Sequence, residues 1–276
     1  MAINLATKYE KNLLQAYNQA SLITGKVNTD YDFIGVNSIH VYSVVTQALN
    51  DYNRTAAGNR YGTPAELQDT QQEMALTTDK SFAITIDKGN NEDQMMAKKT
   101  GSVVKAEIGE QVTPFFDKLA LTAWATHAGT TETLAAAPTK DTVVDMFISA
   151  RKDFVNAHFP MSSGAYAYVP SSVYSLLLKN PDFISVEKLG EKILTNGLVG
   201  KCMNWLIIEA PDDYFAAGTY ALFTHKKSVL APTKLSELKT HNDAPGISGV
   251  LIEGRYRGDA FVLDTLNKGV IVTKTA

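Results

Sequence analysis

The chain has 276 residues, 45% of them hydrophobic and 20% charged, the ordinary balance of a globular protein with a sizeable core. Its 26 basic and 29 acidic residues leave a net charge of −3, which excludes a surface that grips nucleic acid or anionic membrane by bulk attraction. Cys202 is the one cysteine, so an intrachain disulfide is excluded and a small buried apolar role is expected for it. No run approaches the roughly 18 to 20 apolar residues of a membrane span, and Met1–Glu10 has no apolar signal core. These features read as synthesis in a cytoplasm, with no membrane partner.

Residues 1–30 are polar, with one short helix expected around Leu13, Leu14 and Tyr17, and read as an arm that needs a partner surface. Two β signals follow. Residues 33–45 are rich in β-branched and aromatic types, and in 80–87 Phe82, Ile84 and Ile86 alternate with Ser81, Ala83 and Thr85. Between them, residues 50–69 hold Gly58, Gly62, Pro64, two tyrosines and two arginines, with almost no aliphatic residues. A stretch of that length without its own core predicts a long projecting hairpin that meets something else. Tyr52, Arg54, Arg60 and Tyr61 are its candidate interface residues, because Tyr and Arg bring large contact area and directional donors.

The longest helical pattern begins at Asn91, where Glu92 and Asp93 suit the positive end of a helix dipole. Met96, Val104, Ile108, Val112, Phe115 and Leu119 predict its buried stripe, which Trp124 extends. Pro114 is expected to kink or interrupt it. Small residues at 129–140 read as a linker. A second helix is predicted over about 142–157, burying Val143, Phe147, Ala150 and Phe154. A short strand at 165–169 meets Pro170-Ser171, which opens a helix ending near Lys179. Further strands are expected at 203–208, 219–223, 248–253, 260–263 and 269–273. The unalternating mixture predicts an α+β fold.

No reactive constellation emerges. The histidines at 40, 127, 158, 225 and 241 never fall at i, i+3 or i, i+4, so no metal is expected, and no GxSxG elbow is present. Gly197–Cys202 imitates a phosphate loop, yet Thr195 replaces its first glycine and Cys202 the magnesium-binding hydroxyl; a tight turn before Trp205 is the expected use, and no cofactor is expected. Asp212 and Asp213 read as a solvated turn, and Arg257-Gly258-Asp259 as a turn between strands. Asn53-Arg54-Thr55 is a glycosylation sequon by chance in a chain without a signal peptide. No catalytic role is assigned, and an enzyme is not expected.

The order of parts resembles the major capsid proteins of tailed bacteriophages with the Hong Kong 97 type fold. Residues 49–96 (LNDYNR…NRYGTPAELQDTQQEM, then DKSFAITIDKGNNEDQMM) are similar to a subgroup from phages of Gram-positive bacteria, and Val112, Pro114 and Asp117 to its recurring Val-x-Pro-x-x-Asp stretch. The stretches 168–183, 196–211 and 243–272 are similar to later parts of that fold. The resemblance implies an N-terminal arm (1–32), an extended hairpin loop (33–88, tip 50–69), a long spine helix with the peripheral domain (89–141), an axial domain (142–242) and a return to the peripheral domain (243–276). It also implies a shell subunit forming pentamers and hexamers of an icosahedral head in the virion, assembled in the bacterial host cytoplasm. Portal, scaffolding or decoration proteins would be further partners, and encapsidated double-stranded DNA a weak contact. No residue pair matches an intersubunit isopeptide crosslink, and since the sequence begins directly at its arm, no long fused scaffolding segment is expected. Two other readings stay open: an encapsulin-like compartment shell, and an α+β enzyme whose site is assembled from distant residues.

Overall fold

Strand-forming residues at 38–44 pair across the polar stretch with a return strand that has no apolar periodicity. β1 (Ser38–Val44) and β2 (Asp69–Ala75) form an antiparallel ribbon in register from Ser38↔Ala75 to Val44↔Asp69. The computed structural model describes residues 21–31, 33, 38–44, 46–64, 66–93, 100–180, 198–242 and 244–275. The helix expected at Leu13–Tyr17, the stripe residue Met96 and Gly197 lie outside the described residues. After the ribbon come β3 (Thr78–Asp87), α1 (Lys88–Asp93), α2 (Thr100–Glu107), a π turn (Ile108–Val112) and α3 (Thr113–Thr126). Next are β4 (Thr130–Leu134), α4 (Val143–Asn156), β5 (Ala165–Pro170) and α5 (Ser171–Leu177). The remainder is mostly strand: β6 (Leu198–Cys202), β7 (Trp205–Ala210), β8 (Thr219–His225), β9 (Val229–Leu230), β10 (Thr233–His241), β11 (Gly249–Gly258), β12 (Phe261–Val262) and β13 (Val270–Thr275). The fold is α+β.

A six-stranded mixed sheet, ordered β4-β13-β8-β5-β7-β6, is the centre of the molecule. Both its faces are buried, which is why its strands read as continuous apolar runs. Ala167, Val169, Ile207, Ala221, Phe223 and Ile271 face one core with α4 and α5, where Phe147 and Phe154 are fully buried. Their neighbours Tyr168, Ile208, Leu222, Val270 and Val272 face a second core with Leu121 and Trp124 of α3. All four residues expected on the inner face of α4 are buried there. A separate antiparallel sheet, β10-β11-β3, packs Ile86 and Ile252 against Val104 of α2.

Three expectations change. The linker at 129–140 contains β4, which runs parallel to β13 at the sheet edge; its sequence Thr-Thr-Glu-Thr-Leu carries little apolar signal because an edge strand buries little. The long helix is not broken at Pro114: the backbone stays α-helical through Val112 and Thr113, and the Thr113 N–H reaches back five residues to Ile108 O. The proline thus sits in the first turn after a π turn, where its missing N–H costs least. That turn inserts one residue, so the buried face of α3 is Asp117, Ala120, Leu121 and Trp124, while Phe115 is exposed and Val112 and Leu119 are partly exposed.

Asp117 is the one carboxylate on that face, 3% exposed. It accepts hydrogen bonds from Ser21 Oγ and the Leu22 N–H, each at 2.8 Å. The Lys26 ammonium, 5% exposed, donates to Leu22 O at 2.7 Å and brings its charge toward the same carboxylate. Residues 21–26 are thereby folded over α3, with Leu22 and Ile23 in the core beneath. Burial pushes the Asp117 carboxyl up from its ordinary value, and the donors from Leu22 and Ser21 oppose that shift. Asp117→Ala is expected to cost about 3 kcal/mol in urea unfolding, because it strands buried donors and a buried ammonium. His225, 4% exposed, titrates the other way, since burial lowers its pKa below the ordinary 6.5. The unfolded chain takes up the proton first, so stability is full above about pH 6.5 and falls as the pH drops below it. That loss is expected to flatten in His225→Leu, measured by unfolding between pH 7 and 5.5.

Candidate assembly surface

The loop closing the β1–β2 ribbon carries all four interface candidates. Asn53 organises its turn: the Asn53 N–H donates to Arg60 O at 3.0 Å, and Asn53 Oδ1 accepts from the Thr55 N–H at 3.0 Å and Thr55 Oγ at 2.8 Å. Asn59 (φ 50°) and Gly62 (φ 86°) supply the left-handed residues that reverse the chain, and a Cβ on Gly62 would lie 2.6 Å from Asn50 Nδ2. Tyr52 and Tyr61 meet edge to face with ring centroids 4.9 Å apart. Arg60 Nε turns back to Ala56 O at 3.0 Å, while Arg54 stands exposed on the Asn53–Thr55 turn. The structure therefore joins the tyrosines and gives the two arginines different surroundings.

Sequence reasoning missed other residues of this surface. Tyr42, Val44, Leu49 and Leu67 are exposed along with Tyr52 and Tyr61, so among the described residues six of the eleven exposed large hydrophobics lie on residues 42–67. The signal was present as isolated apolar residues in a polar stretch that has nothing of its own to bury them. At its other end the ribbon is firmly seated. Val41, Met74 and Leu76 pack with Phe33, Leu230 and Leu263. Gln72 donates from Nε2 to Val262 O at 2.9 Å and accepts the Asp264 N–H at Oε1 at 2.9 Å. The ribbon thus combines an anchored base with a tip whose apolar side chains are exposed.

The sequence features that imitate reactive sites have structural uses. β6 and β7 form a hairpin whose loop is Met203-Asn204, both at positive φ (48° and 73°), a two-residue turn of type I′ that holds no phosphate-binding helix terminus. Cys202, one position before it, is 1% exposed, and burial pushes its thiol up to about 11, far from a reactive thiolate. Asp212 accepts the Ser172 N–H at 3.0 Å at the start of α5, whereas Asp213 pairs with Lys118 at 3.7 Å, so the two carboxylates serve different partners. Among the described residues no group of His, Cys, Asp and Glu is placed to hold a metal ion, and no helix is long and apolar enough to cross a membrane.

Because Tyr61 is 82% exposed and its ring contact is with Tyr52 of the same loop, Tyr61→Ala is expected to change stability by less than about 1 kcal/mol in urea unfolding. A larger loss would mean the ring has cover within its own subunit.

No protein-family model and no curated protein matches the chain. Solved structures do. A chain of Mycobacterium phage Che8 superposes with a TM-score of 0.75 at 18% identity, covering 99% of this chain and 98% of that one. A chain from the capsid structure of Cyanophage P-SCSP1u gives 0.76 at 13% identity, covering 99% and 93%. One from the asymmetric unit of the bacteriophage PhiM1 mature capsid gives 0.71 at 12% identity, covering 98% and 91%. Over nearly its whole length, the chain has the fold found in these phage structures, two of which are of capsids.

Proposed function

We propose that this chain is the major capsid protein of a tailed phage, a non-enzymatic subunit that self-assembles through pentamers and hexamers into an icosahedral head around double-stranded DNA. One observation carries the reading: a near-full-length capsid fold in which the β1–β2 ribbon exposes its apolar side chains. Rings of identical subunits need head-to-tail contacts between two different surfaces of each copy. The ribbon tip, with Tyr52, Arg54, Arg60 and Tyr61, is one such surface and lies on a neighbouring subunit.

The same reading divides the chain into an arm (1–32), an extended hairpin loop (33–88), a spine helix with the peripheral domain (89–141), an axial domain (142–242) and a return segment (243–276). Pairing of β11 with β3 over ten residue pairs supports the return. The same sheet also draws in β10 from 233–241, and β13 ties the last residues to the central sheet. Portal, scaffolding or decoration proteins complete the head, which is assembled in the host cytoplasm. DNA inside it is a weak contact, consistent with a net charge of −3 and no long basic run.

Deleting residues 53–63 and closing the ribbon with a short glycine turn tests the tip. The expected product is a folded subunit of parental circular dichroism that forms no shells by light scattering or electron microscopy. Normal shells from the deletion would refute the assigned surface, and a parent that stays monomeric at high concentration would refute the shell itself. Packaged DNA of uniform length, as opposed to protein cargo, separates a phage head from an encapsulin-like compartment.

A further inference from the structure

The ribbon leaves the body at a two-residue corner, Leu76-Thr77, between the end of β2 and the start of β3. Both residues of that corner are held by one tripeptide 181 to 182 positions away. Arg257 Nη2 donates to Leu76 O at 3.1 Å. Asp259 Oδ2 accepts both the Thr77 N–H, at 3.0 Å, and Thr77 Oγ, at 2.8 Å, while its Oδ1 accepts the Ala260 N–H at 2.9 Å. Gly258 between them is buried, and a Cβ there would stand 2.9 Å from Pro232 O and 3.1 Å from the Phe116 ring. The Asp259 N–H in turn donates to Pro232 O at 3.1 Å.

The placement of these bonds matters. β3 is locked to β11 from Gly249↔Asp87 to Gly258↔Thr78, with Arg255 and Asp79 forming two hydrogen bonds of 3.0 and 2.6 Å near its end. Pairing with β11 stops at Thr78, so the corner is where the ribbon first departs from that sheet, before Met74 and Gln72 seat it on the body. A ribbon of seven residue pairs is a lever: a small rotation at its base displaces its tip by many times the error at the corner.

We propose that Arg257, Gly258 and Asp259 form a clamp that fixes the angle at which the ribbon leaves the subunit, and so the position its tip reaches on a neighbouring copy. The inference rests on the shell reading above and gives the tripeptide a positioning role. Asp259 is its central group, because one carboxylate removes both the backbone and side-chain freedom of Thr77. With Gly258 buried and Asp259 engaged by the subunit's own amides, the tripeptide is not displayed as an adhesion loop.

The test uses the full chain with Asp259→Ala, and Thr77→Val as the milder variant that keeps the backbone bond. Hydrogen exchange at the Thr77 amide is expected to speed up by about tenfold or more in Asp259→Ala, the loss of a charge-assisted bond, with exchange in the central sheet unchanged. Electron microscopy of the same preparation is expected to show open sheets, tubes or shells of mixed size, where the parent gives one size. Shells of parental size and uniformity, or unchanged exchange at Thr77, overturn the clamp. If Asp259→Ala does not fold, Thr77→Val is read by shell size and uniformity alone, because it keeps the amide bond. A parent that forms no shells refutes the proposed function instead, and exchange at Thr77 then decides the clamp alone.

Discussion

Asp117 is the constraint on which the arrangement of the subunit turns. A carboxylate placed in an apolar helix face is costly unless donors surround it, and here they come from residues 21 and 22, almost a hundred positions earlier. The charge that would weaken α3 alone becomes the reason the N-terminal segment closes over it. With the segment in place, Leu22 and Ile23 complete the second core, and the neighbouring Asn28 reaches Val229 O through its N–H at 2.8 Å. Trp124, two turns further along the helix, donates to Leu230 O at 3.1 Å and joins α3 to the same short strand. Arm, helix and sheet are thereby tied at one small region.

Residues 33 and 230 lie next to that region, and they are where the ribbon begins. Leu230 belongs to the cluster that seats Val41, Met74 and Leu76, while its carbonyl serves Trp124. The base of the projecting element is thus continuous with the densest part of the subunit, whereas its far end is held mainly by its own turn. Contacts with the rest of the chain are therefore concentrated at the base of the ribbon, while its tip relies on bonds within the loop.

Much of the central sheet was legible because burial on both faces writes itself as uninterrupted apolar runs, as in Trp205–Ile208 and Val270–Val272. The face of α4 was equally plain, since a helix with one buried side repeats its pattern faithfully. Three of the strands without a hydropathic signal share a different property. β2, β4 and β10 face solvent over much of their surface, and Asp-Thr-Gln-Gln-Glu or Thr-Thr-Glu-Thr pairs through backbone bonds that leave no trace in side-chain hydropathy. At the candidate site, Tyr52 and Tyr61 stood out because glycines punctuate their loop, while Val44 fell within an expected strand and Leu49 and Leu67 are single aliphatic residues in a polar stretch. Asp259 could not be linked to Thr77 from sequence, because the pairing depends on which strands become neighbours.

The π turn at Ile108–Val112 also bears on how this helix tolerates change in length. One residue corresponds to about 100° of helical rotation, and the π turn absorbs that much locally, so a single deletion within it would restore a regular helix and leave the later residues on their present faces. Straightening the turn with its residue count kept would instead swing Asp117 away from its donors. The turn is thus a place where this helix can lose a residue without unfastening the N-terminal segment from the face it covers.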